Sequence, residues 1–503
     1  MMKIPSVMIA AMASGSGKTS VACSLMAALK KRGKRVAACK CGPDYIDPMF
    51  HREVLGIDSE NLDLFFCSED LLRKNYIRHA QGSEITVVEG VMGYYDGMAL
   101  SCDWASSYDV ARTLGIPVIL VLPCRGMGLT VAALLKGAVE FRKDSHIRGI
   151  ILNRISPMLY PRMKNLIEAQ MAEMGHQIRV VGYVPEHEVF QVDSRHLGLV
   201  LPEEIPELKS RMEQAARVLE ESVDLDEILE IAKEAAEFEA ETSVLDRVDD
   251  AGKPEKSDLD KTFYAETGRE NVRIAGDLES AVQRTVWSAG EGPVIGIARD
   301  EAFGFYYKDN IELLKKFGCR ILYFSPLRDA KIPEEADGIL LGGGYPEVYA
   351  ARLAANRNMR EDLCRRVRGG LPCIAECGGF LYLQKELEGT DGTMYPMAGA
   401  LIGTAVRKQR LVRFGYIDLS AQEDGVYLKK GEKIRGHEFH YWDSSENGSS
   451  CLAVKPDKAR SWQAVQVEGK IFAGFPHLYW ESCPEFAERF VEVCLEYKRK
   501  REL

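Results

Sequence analysis

The apolar run Ile4–Ala11 leads directly into Ala11-Met-Ala-Ser-Gly-Ser-Gly-Lys-Thr19, and an amphipathic stretch, Thr19–Arg32, follows at once. A buried strand, a glycine-punctuated loop and a helix in immediate succession leave few folds open. The segment belongs in a parallel α/β sheet, with its loop at the carboxyl end of a strand. Gly15 and Gly17 let backbone N–H groups converge on phosphate oxygens, with Ser14 and Ser16 in the same cradle. Lys18 would reach β- and γ-phosphates, and the Thr19 hydroxyl would sit on Mg²⁺. Met12 stands where such loops usually carry a leading glycine. The competing reading is a Gly/Ser-rich turn with a chance Lys-Thr; the strand–loop–helix setting favours nucleotide binding.

The alternation continues. Val36–Cys39, Ile85–Glu89, Val118–Leu122, Ile147–Leu152 and Val180–Val184 read as further buried strands, and Leu129–Arg142 as a helix between them. Two of these strands end in acidic turns. Lys40-Cys-Gly-Pro-Asp-Tyr-Ile-Asp47 offers Lys40, Asp44 and Asp47; Glu89 closes the third strand, and Asp96 follows in a glycine-rich turn. Carboxylates at strand ends beside a phosphate loop are suitable Mg²⁺ ligands, Glu89 foremost, while capping helices or holding turns is the alternative for the others; Lys40 is a candidate for the nucleotide and Asp96 for the substrate. Asn153-Arg154, at another strand end, reads equally as a contact to a base or carboxylate and as a turn.

A chain of 503 residues has room for two or three domains. Residues 1–202 form the first expected domain. Residues 203–292 are expected to be a helical extension and linker, Glu-rich at first and then polar over 249–256; its acidic run reads as a solvated helix face. A second α/β domain is expected over 293–496, with strands from Pro293, at Arg320–Phe324, Gly338–Leu341, Pro372–Ala375 and Ile471–Gly474. The net charge of −10 disfavours a general nucleic-acid binder, though a local basic cluster can still hold an anionic small molecule. No apolar run approaches the ~20 residues of a membrane span. The thirteen cysteines follow no repeating framework and read as thiols of a cytoplasmic protein; Cys39-Lys-Cys41 is too isolated for a metal site.

Leu371-Pro-Cys-Ile-Ala-Glu-Cys-Gly-Gly-Phe380 has the form of a buried strand ending in a sharp turn, with Cys377 presented at a helix start. That position is expected to lower the thiol pKa and to supply N–H groups to an oxyanion. Bases are available downstream in His437, His440 and His477, of which His477 follows a strand as a delivered base should. Gly378 and the triple glycine at 342–344, with Gly343 and Gly344 foremost, are candidate oxyanion donors. A buried inert thiol is the competing reading for Cys377.

With both ends in view, residues 371–381, 471–480 and Leu341-Gly-Gly-Gly-Tyr-Pro-Glu347 resemble the class I glutamine amidotransferase domain of the cobalamin-pathway type. Residues 1–200 resemble the dethiobiotin-synthetase-like amidoligase domain fused to it. Lys40-Cys-Gly-Pro-Asp-Tyr-Ile-Asp-Pro48, Glu89-Gly90, Ser194-Arg-His-Leu-Gly-Leu199 and Gly436-His-Glu-Phe-His-Tyr441 are similar to the cobyrinic acid a,c-diamide synthase family. The resemblance implies an α/β fold with an N-terminal P-loop domain and a C-terminal amidotransferase domain. It implies glutamine hydrolysis through a Cys377 thioester with His477 as base, and internal transfer of ammonia. ATP and Mg²⁺ would then phosphorylate the c and a acetates of cobyrinate, and ammonia would displace phosphate. Arg125, Arg195 and His196 are candidates for holding a tetrapyrrole polycarboxylate, with surface charge as the alternative.

One departure stands out. Class I amidotransferases place Glu two residues after the catalytic His, and here that residue is Tyr479; Glu481 is a distant substitute and is not adopted. The sequence does not separate cobyrinate from hydrogenobyrinate or nickel sirohydrochlorin, and a homodimer stays open. A nucleotide-dependent scaffold with an inert thiol domain is the alternative from another class; Lys18, Thr19, Glu89 and Cys377 together argue against it.

Overall fold

A computed structural model of the chain describes residues 2–190, 205–238 and 292–502. They form two compact units, divided between 238 and 292.

The first unit is built on β1 (Ser6–Ala11), β2 (Val36–Cys41), β3 (Ser59–Leu62), β4 (Ile85–Glu89), β5 (Val118–Pro123), β6 (Ile147–Asn153) and β7 (Arg179–Val184). They form one parallel sheet in the order β3-β2-β4-β1-β5-β6-β7. Six of the seven match runs read as strands. β3 was not foreseen, because Ser59-Glu-Asn-Leu62 is a polar edge strand with no apolar run. The sheet order reverses direction beside β1, which opens a crevice outside the strand carboxyl ends. The phosphate loop lies there, between β1 and α1 (Lys18–Lys31). Gly17 adopts φ 94°, a left-handed turn that glycine makes without strain.

The helical extension joins this unit. After α2 (Ile46–Glu53) in the β2–β3 connection, α3 (Ile205–Ser222) and α4 (Leu225–Ala232) cover one face of the sheet. Leu208, Met212, Ala215, Ala216 and Leu219 recur at helical spacing and pack with Val21, Leu25 and Leu29 of α1 and with Ile228 and Ile231 of α4. Burying each large side chain of this kind is worth about 1.5–3 kcal/mol. Residues 205–238 therefore complete the first core, which the expected boundary at 202 would have left open. The acidic residues of α3 and α4 lie outward as expected, Glu220 at 2.5 Å from Lys31 and Asp226 at 3.2 Å from Arg32. Met2–Lys3 pairs antiparallel with Glu237–Phe238, tying the start of the unit to its end. The polar stretch 249–256 lies outside the described residues.

The second unit contains β8 (Val294–Ala298), β9 (Arg320–Phe324), β10 (Gly338–Leu341), β11 (Cys373–Glu376), β12 (Arg413–Ala421), β13 (Lys433–His440), β14 (Cys451–Val454), β15 (Ser461–Ala464), β16 (Gln466–Glu468), β17 (Ile471–Gly474) and β18 (His477–Tyr479). A sheet of order β9-β8-β10-β11-β17-β16 is parallel apart from its edge strand β16. A second sheet, β15-β14-β12-β13-β18, is antiparallel. Only Phe475 and Pro476 separate β17 from β18, so one chain segment passes from the first sheet to the second and carries His477 across. The short α5 (Gly378–Leu383) follows β11. The final helix, α6 (Pro484–Glu502), runs past the expected end at 496 and packs Phe486 and Phe490 against Trp480 and Tyr427.

Candidate functional site

In the first unit Thr19, Lys40 and Asp47 gather around Glu89, the last residue of β4 and fully buried. Thr19, in the first turn of α1, donates its hydroxyl to Glu89 Oε1 at 2.5 Å. Lys40 Nζ lies 2.9 Å from Glu89 Oε1 and 2.5 Å from Asp47 Oδ2, so one ammonium serves two carboxylates. Burial opposes its charge, but Asp47 and Glu89 outweigh burial and hold Lys40 well above its ordinary pKa. The carboxylates divide. Burial would raise Glu89, yet Lys40 and then His51 hold it far below the usual range, whereas burial and the Glu89 charge push Asp47 up. Two carboxylates sharing one cation cannot ionise independently.

The lysine of the loop is held as well. Lys18 Nζ donates to the carbonyls of Ala13 at 3.1 Å and Met92 at 2.5 Å, and burial lowers its pKa. Met92 lies in the glycine-rich turn after β4, which Asp96 braces by accepting the Gly93 N–H at 2.9 Å. Asn153, ending β6, donates to the Ser16 carbonyl at 2.8 Å, and a side chain at Gly17 would collide with it. Asn153 thus braces the loop that contains Ser14, Gly15 and Ser16. Asp44 serves a local turn: its Oδ1 accepts the Ile46 N–H at 2.9 Å at the start of α2. Arg125 pairs with Glu186 at 3.1 Å on the surface. Arg195 and His196 lie outside the described residues.

Thr19, Asp47 and Glu89 present a hydroxyl and carboxylates, an all-oxygen set of the kind a hard divalent cation prefers. These residues fit Mg²⁺, with Lys40 now neutralising the same carboxylates. His51 escaped the sequence reading. Its Nε2 lies 3.2 Å from Glu89 Oε2 and its Nδ1 3.0 Å from Ser59 Oγ. The available signal was its position four residues after Asp47 on α2, which puts both on one helix face.

In the second unit Cys377 stands between β11 and α5 with φ 46° and ψ −103°, a sparsely populated backbone conformation that costs a non-glycine residue about 1–3 kcal/mol. Its N–H donates to Gly474 O at 2.7 Å, which binds the turn to the end of β17. The Gly379 N–H donates to Gly342 O at 2.9 Å. A Cβ at Gly378 would lie 3.0 Å from Gly344 N, and one at Gly343 would collide with the His477 ring. The structure therefore brings Cys377, His477, Gly343, Gly344 and Gly378 together, and glycine is what permits their approach.

The electrostatics differ from expectation. Burial, with Glu347 and Glu438 next, pushes the Cys377 thiol up rather than down. α5 has only six residues, too short to offset that. Burial and His440 push His477 down to about 3. The resting pair is a neutral thiol and a neutral imidazole. His440 stacks on Phe475, with ring centroids 3.7 Å apart, and its Nδ1 faces Trp442 O at 2.6 Å. His437, the register partner of His477, is pushed down to about 3 by burial and then by His477.

Tyr479 puts its hydroxyl 2.7 Å from Asp309 Oδ2 and 3.1 Å from Glu481 Oε2, and Lys316 lies 3.4 Å from Glu481. Glu481 is thereby engaged in a network of its own. A residue absent from the sequence reading, Glu376, lies on the other side: its Oε2 is 3.8 Å from His477 Nδ1. The clue was a lone acidic residue closing an otherwise apolar strand, directly before the thiol.

Comparison with known proteins matches this division. The family described as CobQ/CobB/MinD/ParA nucleotide binding domain covers residues 7–200, and the CobB/CobQ-like glutamine amidotransferase domain covers residues 294–484. A cobyrinate a,c-diamide synthase of Caldanaerobacter subterraneus subsp. tengcongensis is 33% identical over 98% of this chain and 99% of its own. That of Thermoplasma volcanium is 32% identical over all of both chains, and that of Listeria monocytogenes serovar 1/2a 35% identical over 94% and 96%. A nucleotide-binding domain and a glutamine amidotransferase domain in this order, matched nearly end to end, place the chain in the cobyrinate a,c-diamide synthase family.

Proposed function

We propose that the protein amidates the a and c carboxylates of cobyrinate, using ATP and glutamine, through acyl-phosphate intermediates in cobalamin biosynthesis. The observation that carries this reading is a thiol at φ 46° beside a triple glycine whose Gly343 abuts the His477 ring, on the same chain as a Lys18–Thr19 nucleotide loop whose Thr19 meets Glu89.

In the second unit His477 takes the Cys377 proton as sulfur bonds to the glutamine δ-carbon. Burial favours neutral reactants, so the ion pair arises only as the bond forms. The N–H groups of Gly344 and Gly378 support the negative oxygen. His477 then returns the proton to nitrogen as the C–N bond breaks, which frees ammonia and leaves a thioester that water hydrolyses to glutamate.

In the first unit a substrate carboxylate oxygen attacks the γ-phosphorus, and ADP leaves. Ammonia attacks the acyl carbon, phosphate leaves and nitrogen loses a proton. Lys18 and the loop N–H groups hold the phosphates, with Asn153 keeping the loop in shape. Mg²⁺, held by Thr19, Glu89 and Asp47, would neutralise charge on the transferring phosphoryl group. Attack by ammonia requires phosphorylation first, because a free carboxylate is a poor electrophile.

The test is product analysis by mass. The protein is incubated with ATP, glutamine and cobyrinate, hydrogenobyrinate or nickel sirohydrochlorin in turn, and amide groups are counted. Two amides on cobyrinate support the proposal; two on another macrocycle and none on cobyrinate overturn the substrate. C377S should lose glutamine-dependent amidation and keep that driven by ammonium. Retained glutamine use in C377S would sink the assignment of the nucleophile.

A further inference from the structure

We propose that Glu376 is the positioning carboxyl for His477, taking the place of the glutamate missing two residues after it. The inference rests on the reading of Cys377 and His477 as the glutamine-hydrolysing pair.

A base that accepts the thiol proton on one ring nitrogen must carry its own proton on the other, so a group is needed to fix that tautomer. Glu376 Oε2 faces Nδ1 at 3.8 Å, which leaves Nε2 as the acceptor. The separation exceeds a hydrogen bond, but such contacts are often long without substrate and tighten in the complex. The carboxyl is already tethered: Leu478 donates its N–H to Glu376 Oε1 at 3.3 Å. Glu376 therefore joins the strand that ends at the thiol to the strand that starts with the base.

The residues after His477 do not compete for this role. Tyr479 and Glu481 face Asp309 and Lys316. The other titratable groups around the pair are His437 and His440 from β13, Tyr306, and Glu347 and Glu438 toward the thiol. His440 is occupied by Trp442 O and by Glu438. Burial raises Glu376 to about 8, so it is largely protonated at neutral pH. The carboxylate can accept Nδ1–H through Oε2, and so can the neutral carboxyl when its proton is on Oε1.

The test uses the full chain with E376A and E376Q, comparing glutamine hydrolysis with amidation driven by ammonium. E376A should lower kcat for glutamine about 100-fold, the scale of losing a well-oriented partner, while KM stays within about twofold. Ammonium-driven amidation should be unchanged, which also reports an intact fold. E376Q, whose carboxamide oxygen can still accept Nδ1–H, should recover about tenfold of the loss. Wild-type kcat in E376A would overturn the inference, as would an equal fall in ammonium-driven activity or an E376Q no better than E376A. If E376A does not fold, E376Q decides: unchanged kcat overturns the inference, and a selective fall in kcat supports it. A C377S protein that still hydrolyses glutamine would instead break the underlying assignment of the thiol.

Discussion

The Thr19 hydroxyl donates to Glu89 at 2.5 Å, joining the first turn of the loop helix to the end of a central strand. This contact sets the geometry at the carboxyl edge of the sheet. E89Q keeps the size of the side chain and removes the charge that both Lys40 and a cation require. We expect ATP-dependent amidation to fall at least about 100-fold in E89Q, with T19A intermediate, measured as amide product by mass.

Lys40 is the counter-ion of Asp47 and Glu89, so K40M should leave uncompensated buried charge and cost about 3–5 kcal/mol. Glu89 is held low in the fold, so its contribution is present above about pH 4.5 and is lost as pH falls below that toward its folded value. Lys40 is held high, so its contribution is complete below about pH 10.4 and is lost as pH rises through its folded value. Urea unfolding should show the widest gap between wild type and K40M inside that window and a narrowing gap outside it. A gap that does not vary with pH would contradict this assignment.

A methyl group at Gly343 would collide with the His477 ring. G343A should displace the base from the thiol and lower glutamine hydrolysis about 100-fold, the scale attached to misplacement of about 1 Å. Ammonium-driven amidation should persist. Steady-state assays with the two nitrogen sources check it.

Burial raises Glu347 to about 7, offset in part by its own backbone N–H and Arg407. Between about pH 4.5 and 7 the folded chain therefore holds a proton that the unfolded chain has released, and stability falls as pH rises. E347Q has no charge to bury. Its stability relative to wild type should improve by about 3 kcal/mol between pH 4.5 and 8, read from urea midpoints. An unchanging difference across that range would show that Glu347 is ionised in the fold.

Strands that carry the functional turns could be read from the sequence because each is a short apolar run ending at or just before chemistry: the loop from Ser14 to Thr19, Glu89 and Cys377. What could not be read were elements stabilised by partners distant in sequence. Ser59–Leu62 has no apolar run and is a strand only because Ala38–Cys41 pairs with it. The antiparallel sheet around Arg413–Ala421 and Lys433–His440 alternates buried and partly buried residues, so no continuous apolar run announces it. The helices over 205–232 looked like a separate extension because their acidic faces dominate the composition, while Leu208, Met212 and Leu219 carry the packing. At the thiol, proximity to a helix start suggested an acidic sulfur. Complete burial among carboxyl groups outweighs a helix of six residues.

Met2–Lys3 closes on Glu237–Phe238, and the hydrophobic face of α1 is completed by side chains from 208 to 232. Synthesis proceeds from the N-terminus, so the nucleotide loop leaves the ribosome some two hundred residues before the helices that cover its sheet. Until residue 232 is free, α1 lacks its neighbours from the two helices that cover it. The first unit can reach its native state only once its own closing segment has been made, while the second unit is still to be synthesised.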